Sequence, residues 1–155
     1  MPLIVFTHTS NAMPKDKVVK VAEQIRESML RNYVIKAIPD ALRAHTRVKV
    51  VEIDPDFYVG SDDGRPLYDV ELIGPVDSVA GQDAEAFAQE ITTAILTAEG
   101  SPVDEENSQR VWCVFSDVPD MKWSIGPKIL NRRSTLKHVL RHQTQIAAKY
   151  QQAAE

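Results

Sequence analysis

Pro2-Leu3-Ile4-Val5-Phe6-Thr7-His8 follows Met1 and decides how the rest of the chain is read. Its β-branched and aromatic residues predict a strand, and a proline at the head of a strand costs no ladder hydrogen bond. Removal of Met1 would make Pro2 the chain terminus and replace an amide with a secondary amine. A chain-terminal amine has a reference pKa of about 8, and burial lowers it because the cation is disfavoured. Such a nitrogen can take up and return protons near neutral pH. A plainer role, that Pro2 merely starts a strand, is also open at this point.

Working outward, Ser10-Asn11-Ala12-Met13-Pro14 supplies turn and helix-start signals. From about residue 15, Val18, Val21, Ala22, Ile25 and Met29 recur at steps of three and four, which predicts an amphipathic helix. Residues 46–53 read as a second strand, with Val48 and Val50 on one face and Arg47, Lys49 and Val51 on the other. The polar run Ser61-Asp62-Asp63-Gly64-Arg65-Pro66 is loop chemistry and marks an internal boundary.

Beyond it the pattern returns. Leu67–Ile73 reads as a strand and residues 82–98 as a helix with the stripe Ala84, Phe87, Ala88, Ile91 and Ile95. Each stripe residue lies 66 positions after its counterpart in the first helix, and the same offset relates Phe57-Tyr58-Val59-Gly60 to Trp123-Ser124-Ile125-Gly126. Val51-Glu52-Ile53 likewise resembles Ser116-Asp117-Val118 at an offset of 65. The expected architecture is α/β (α+β): a domain over residues 1–130 made of two β-α-β repeats, about 2–60 and 67–126. Together they form a four-stranded mixed sheet with both helices on one face. The opposite face then calls for a cover, most simply another subunit.

Residues 131–155 form a C-terminal helical extension. Leu136, Val139, Leu140, Ile146, Ala147 and Tyr150 make its apolar stripe, with Lys137, His138, Arg141, His142 and Lys149 around it. This reads as a docking helix with a solvated basic face.

A length of 155 residues and 43% apolar content suit one compact domain with a real core. The net charge of −4 argues against general nucleic-acid affinity. No stretch approaches the roughly 20 apolar residues of a membrane span, and no signal-peptide pattern is present. The only cysteine, Cys113, lies within Val111-Trp112-Cys113-Val114-Phe115 and reads as a buried strand residue. A cytoplasmic protein without a cofactor or metal is expected. His8 and His45 have no spacing that suggests a ligand set and are read as structural.

In this order, Pro2 at the head of the first strand, the arginine-led strand Arg47-Val48-Lys49-Val50-Val51-Glu52-Ile53 and the aromatic-glycine stretch Phe57-Tyr58-Val59-Gly60 resemble the tautomerase superfamily. That family, whose catalytic proline is N-terminal, includes 4-oxalocrotonate tautomerase and double-length relatives. Among these are malonate semialdehyde decarboxylase and cis-3-chloroacrylic acid dehalogenase. The resemblance runs from Pro2 to about Gly126.

It implies a homotrimer and a cofactor-independent enzyme in which Pro2 is the general base for keto-enol tautomerisation of a small 2-keto-acid-like carboxylate. Arg47 is the first candidate for holding that carboxylate, or else it is an interface ion-pair residue. Lys49 is a second cation on the same strand face. Phe57 and Trp123 are candidate apolar walls, or in the case of Phe57 a plain core aromatic. Position 68 holds Tyr where the second repeat would need a proline, so three sites per trimer are implied.

Departures from the family pattern matter too. Ile73-Gly74-Pro75-Val76-Asp77-Ser78-Val79 contains no cation, and Ser124 stands where the dehalogenases carry a glutamate. Hydrolytic dehalogenation is therefore disfavoured, and a substrate with a single carboxylate, or a phenolic or aromatic keto acid, is favoured over one with two carboxylates. The alternatives are a Pro2-dependent decarboxylase or hydratase using Arg110 or Lys128, and a non-catalytic trimeric binding protein on the same scaffold.

Overall fold

The computed structural model describes residues 2–33, 39–60, 63–79 and 81–152. Strands β1 (Leu3–Thr9) and β3 (Tyr68–Pro75) run antiparallel through the middle of a four-stranded sheet. Strand β2 (Arg47–Ile53) lies parallel to β1 at one edge, and β4 (Val111–Val118) lies parallel to β3 at the other. Helices α1 (Lys15–Asn32) and α3 (Gln82–Glu99) follow β1 and β3 and pack together over one sheet face.

The period of two in the sequence determines that face. Ile4, Phe6 and His8 of β1 and Tyr68, Val70 and Leu72 of β3 are buried, while Leu3, Val5, Thr7, Asp69, Glu71 and Ile73 between them are only half-buried. Pairing sets Ile4 beside Leu72 and Phe6 beside Val70, so the buried residues of both strands form one continuous floor. Val21, Ile25 and Met29 of α1 and Phe87, Ile91 and Ile95 of α3 close over it. Fully burying a side chain of this kind stabilises the fold by about 1.5–3 kcal/mol. Cys113 points to the same core, and burial pushes its thiol up to about 11, so it stays protonated and inert. Gly100 ends α3 in the left-handed region at φ 95°, where its N–H donates to Leu96 O at 2.9 Å.

Three further pieces had no sequence expectation: helix α2 (Pro39–His45), the short helix α4 (Glu105–Ser108), and a hairpin of β5 (Trp123–Ile125) and β6 (Lys128–Leu130). Helix α2 begins at a proline with Asp40 in its first turn, favourable chemistry for a helix N-terminus. It is tied to α1 by the forked Arg43–Glu27 pair and ends where Thr46 Oγ1 donates to Leu42 O at 2.8 Å.

Helix α5 (Arg132–Gln152) is capped by Asn131: Ser134 N–H donates to Asn131 Oδ1, and Asn131 N–H donates back to Ser134 Oγ, both at 2.8 Å. It docks on α2 through Val139 against Ala41, with Ile125 of β5 packed beside them, and through the Ala41 N–H to Gln143 Oε1 bond of 2.9 Å. Of the expected stripe, Val139 is buried, whereas Leu140 is 46% exposed. The side chains of Leu136, Ala147 and Tyr150 lie outside those described.

The matched stretches 57–60 and 123–126 do not take the same form. Phe57 closes a 3-10 turn at Pro55–Phe57 and is 83% exposed, which overturns its reading as a core aromatic. Trp123 instead starts the hairpin, whose tip holds Gly126 at φ 56°.

Candidate active site at the head of the first strand

Pro2 stands immediately before β1 and is buried. Its carbonyl accepts the Arg47 N–H at 3.4 Å, which fixes the start of β2 beside it. Register then places Arg47 opposite Leu3 on the sheet face away from the helices. The hairpin and α2 come to this end of the sheet because Ile125 and Ala41 share the small apolar cluster with Val139 of α5.

The result is a cavity of about 250 Å³ lined by Pro2, Leu3, Ala44, His45, Arg47 and the hairpin residues 123–126. Of the five residues proposed from sequence, the structure brings Pro2, Arg47 and Trp123 together here. Lys49 is exposed two residues along β2, beside Val5, and does not line the cavity. Phe57 is likewise outside it within one chain.

The alternative cations are absent from the lining as well. Lys128 is exposed on β6. Arg110 is buried and forked onto Glu99 at 2.8 and 2.7 Å, so it is a structural ion pair and not a substrate-binding group. A larger groove of about 810 Å³ runs between α1 and α3, but its Arg31 is already paired with Glu90 and neither Pro2 nor another N-terminal group reaches it.

His45 is the lining residue that sequence reading assigned to structure alone. It ends α2 half-buried, and its pKa is lowered by burial, then by His142 and His138, and also by Arg47. The imidazole is accordingly neutral at neutral pH, and neutral imidazole offers one donor and one acceptor nitrogen. Among the described residues no carboxylate lines the cavity, so the charge they supply is that of Arg47 and any amine at Pro2. Such a site can hold an anion next to a base. Among the described residues, no group of His, Cys, Asp and Glu has the arrangement of a metal site, and no helix is long and apolar enough to cross a membrane.

No family model matches the sequence, and no curated protein matches it. Solved structures do match. Pt0534 inactivated by 2-oxo-3-pentynoate superposes with a TM-score of 0.65 at 13% identity, covering 83% of this chain and 95% of that one. Native fused 4-OT gives 0.62 at 12% identity, with 82% and 94% covered. FG41 malonate semialdehyde decarboxylase inhibited by 3-bromopropiolate gives 0.60 at 15% identity, with 80% and 88% covered. In each comparison the likeness covers at least 80% of this chain and 88% of the neighbour. The chain therefore has the β-α-β fold of the tautomerase superfamily.

Proposed function

We propose that the chain is a cofactor-independent tautomerase in which Pro2, freed by removal of Met1, moves a proton between carbon and oxygen of a small 2-keto-acid-like substrate. The observation that carries this reading is the shared cavity of Pro2, Arg47 and Trp123. The neutral secondary amine takes the enol proton and delivers a proton to the carbon end of the same conjugated system, so the amine is unchanged after one turnover. Between the two transfers the substrate is an enolate, and the Arg47 guanidinium holds its carboxylate and offsets the added charge. Burial of Pro2 disfavours the cationic form of that amine. Trp123 and Ile125 line one side with apolar surface.

A homotrimer fits the same reading. On the helix-free face of the sheet, Trp112 and Val114 are 68% and 46% exposed. Fused 4-OT, a structural neighbour, is described as a trimer. A cytoplasmic setting accords with the unpaired cysteine.

The test is ultraviolet-monitored ketonisation of phenylenolpyruvate and 2-hydroxymuconate by protein whose intact mass shows that Met1 is gone. No turnover above the buffer rate by the trimmed protein sinks the proposal. Within an active protein, Arg47→Ala is expected to raise KM by about 10- to 100-fold, the worth of a charge-assisted hydrogen bond. An unchanged KM would move the carboxylate away from Arg47.

A further inference from the structure

Behind His45 stand two more imidazoles, both from α5. The His45 ring centroid lies 4.6 Å from that of His142 and 5.3 Å from that of His138. His138 and His142 are four residues apart on one helix and so share a face. His45 Nε2 and His142 Nδ1 are buried and have no hydrogen-bond partner among the described residues. A buried ring nitrogen without a partner is costly and calls for an external one.

Among the described residues, the charged and titratable groups acting on the ring are all basic. Helix α5 contributes His138 and His142, β2 contributes Arg47, and Pro2 lines the same cavity. Among the described residues, no acid lines the cavity to satisfy them. Beside the Arg47 fork, the cavity thus carries a second group able to hold an anion, built from two elements that meet only because α5 docks on α2.

Resting on the tautomerase reading for the site itself, we propose that His45, backed by His142 and His138, is a specificity-determining residue that binds a second acidic group of the substrate and takes up a proton in doing so. The substrate is then a small keto or enol diacid, where the sequence alone favours a single carboxylate. The coupling has a definite sign. In the free protein the surroundings favour neutral His45, as burial and the neighbouring cations lower its pKa. An acidic group against the ring favours the imidazolium, so the pKa in the complex is higher. Affinity for a diacid therefore rises as pH falls through the pKa of the complex, and it levels off below that of the free protein.

Calorimetry with two inert probes that differ by one carboxylate, glutarate and butyrate, tests this in the trimmed full-length chain. Titrations at pH 6 and pH 8 use buffers of different ionisation enthalpy to count protons taken up. Glutarate is expected to bind about tenfold more tightly at pH 6 than at pH 8, with proton uptake. Butyrate, which reports only the amine and Arg47, should change less.

His45→Gln keeps a hydrogen-bond donor but cannot take the proton. It should remove the extra pH dependence of glutarate, weaken its binding at pH 6 by about tenfold, and leave butyrate unchanged. His142→Gln removes the cationic influence nearest to His45 and should move the glutarate midpoint to higher pH. Absence of glutarate binding, an equal loss for both probes in His45→Gln, or an intact pH dependence in that variant overturns the proposal. Calorimetry needs no turnover. A His45-dependent preference for glutarate without ketonisation would therefore sink the tautomerase reading alone, and ketonisation without that preference would sink this one alone.

Discussion

Pro2→Ala is expected to cut kcat for ketonisation by about 10²- to 10⁴-fold, the usual contribution of a positioned general base. KM should change little, because the substrate carboxylate is assigned to Arg47. The variant still ends in an amine once Met1 is removed, so what it loses is the ring. That ring fixes φ and aims the nitrogen, whereas an alanine amine rotates freely and sits in a wetter pocket. The fold should survive, since β1 begins at Leu3 and the Pro2 carbonyl that accepts the Arg47 N–H is present in alanine as well. Protein engineered to retain Met1 makes the stricter comparison. There the nitrogen is an amide without basicity, and activity should fall to the buffer rate. Equal activity in wild type and Pro2→Ala would take proton transfer away from this residue.

The sheet was legible because its causes are local. Alternation in Leu3–Thr9, the three-and-four spacing of Val18, Val21, Ile25 and Met29, and its return 66 residues later each follow from which face a residue must bury. Pro2 and Arg47 came with the strands that carry them, as their meeting needs only the parallel pairing of β1 with β2. His45 did not. It reaches the cavity on a seven-residue helix, too short for a readable stripe, and its ring partners are 93 and 97 positions away on α5. Nothing within ten residues of His45 encodes that contact. Phe57 lies outside the cavity within one chain for the opposite reason: its match to Trp123 is real as a spacing, but Asp54-Pro55 caps a 3-10 turn in one copy where the other makes a hairpin.

Loss of the charge at Arg110 is the largest stability effect expected in the chain. Position 68, the counterpart of Pro2, holds a tyrosine with no exposed surface, and Arg110 and Glu99 fill the space around it. The Arg110 and Glu99 side chains are only 6% and 10% exposed. Arg110 also donates to Pro66 O at 2.9 Å and to Asn107 Oδ1 at 3.1 Å, so one guanidinium ties α3, β3 and the approach to β4 together. Burial by itself would raise the Glu99 pKa, but hydrogen bonds from Arg110 and Ser101 hold it below the ordinary glutamate value. Arg110→Ala leaves that carboxylate buried and unpaired and should cost about 3–5 kcal/mol. Urea unfolding would show this as a lower midpoint at unchanged slope. Arg110→Met with Glu99→Leu removes both charges and should cost far less, because neither is stranded.

The pH dependence separates the pair from mere packing. A carboxyl whose folded pKa is depressed contributes stability that is present above its unfolded value of about 4.3 and is lost as pH falls through the folded pKa. Wild type should therefore lose this contribution below about pH 4, and the double variant should not. If both lose stability in parallel on acidification, the pair is not the source of that sensitivity. If Arg110→Ala and the double variant are equally unstable, volume and not charge is what the second unit needs in place of a proline.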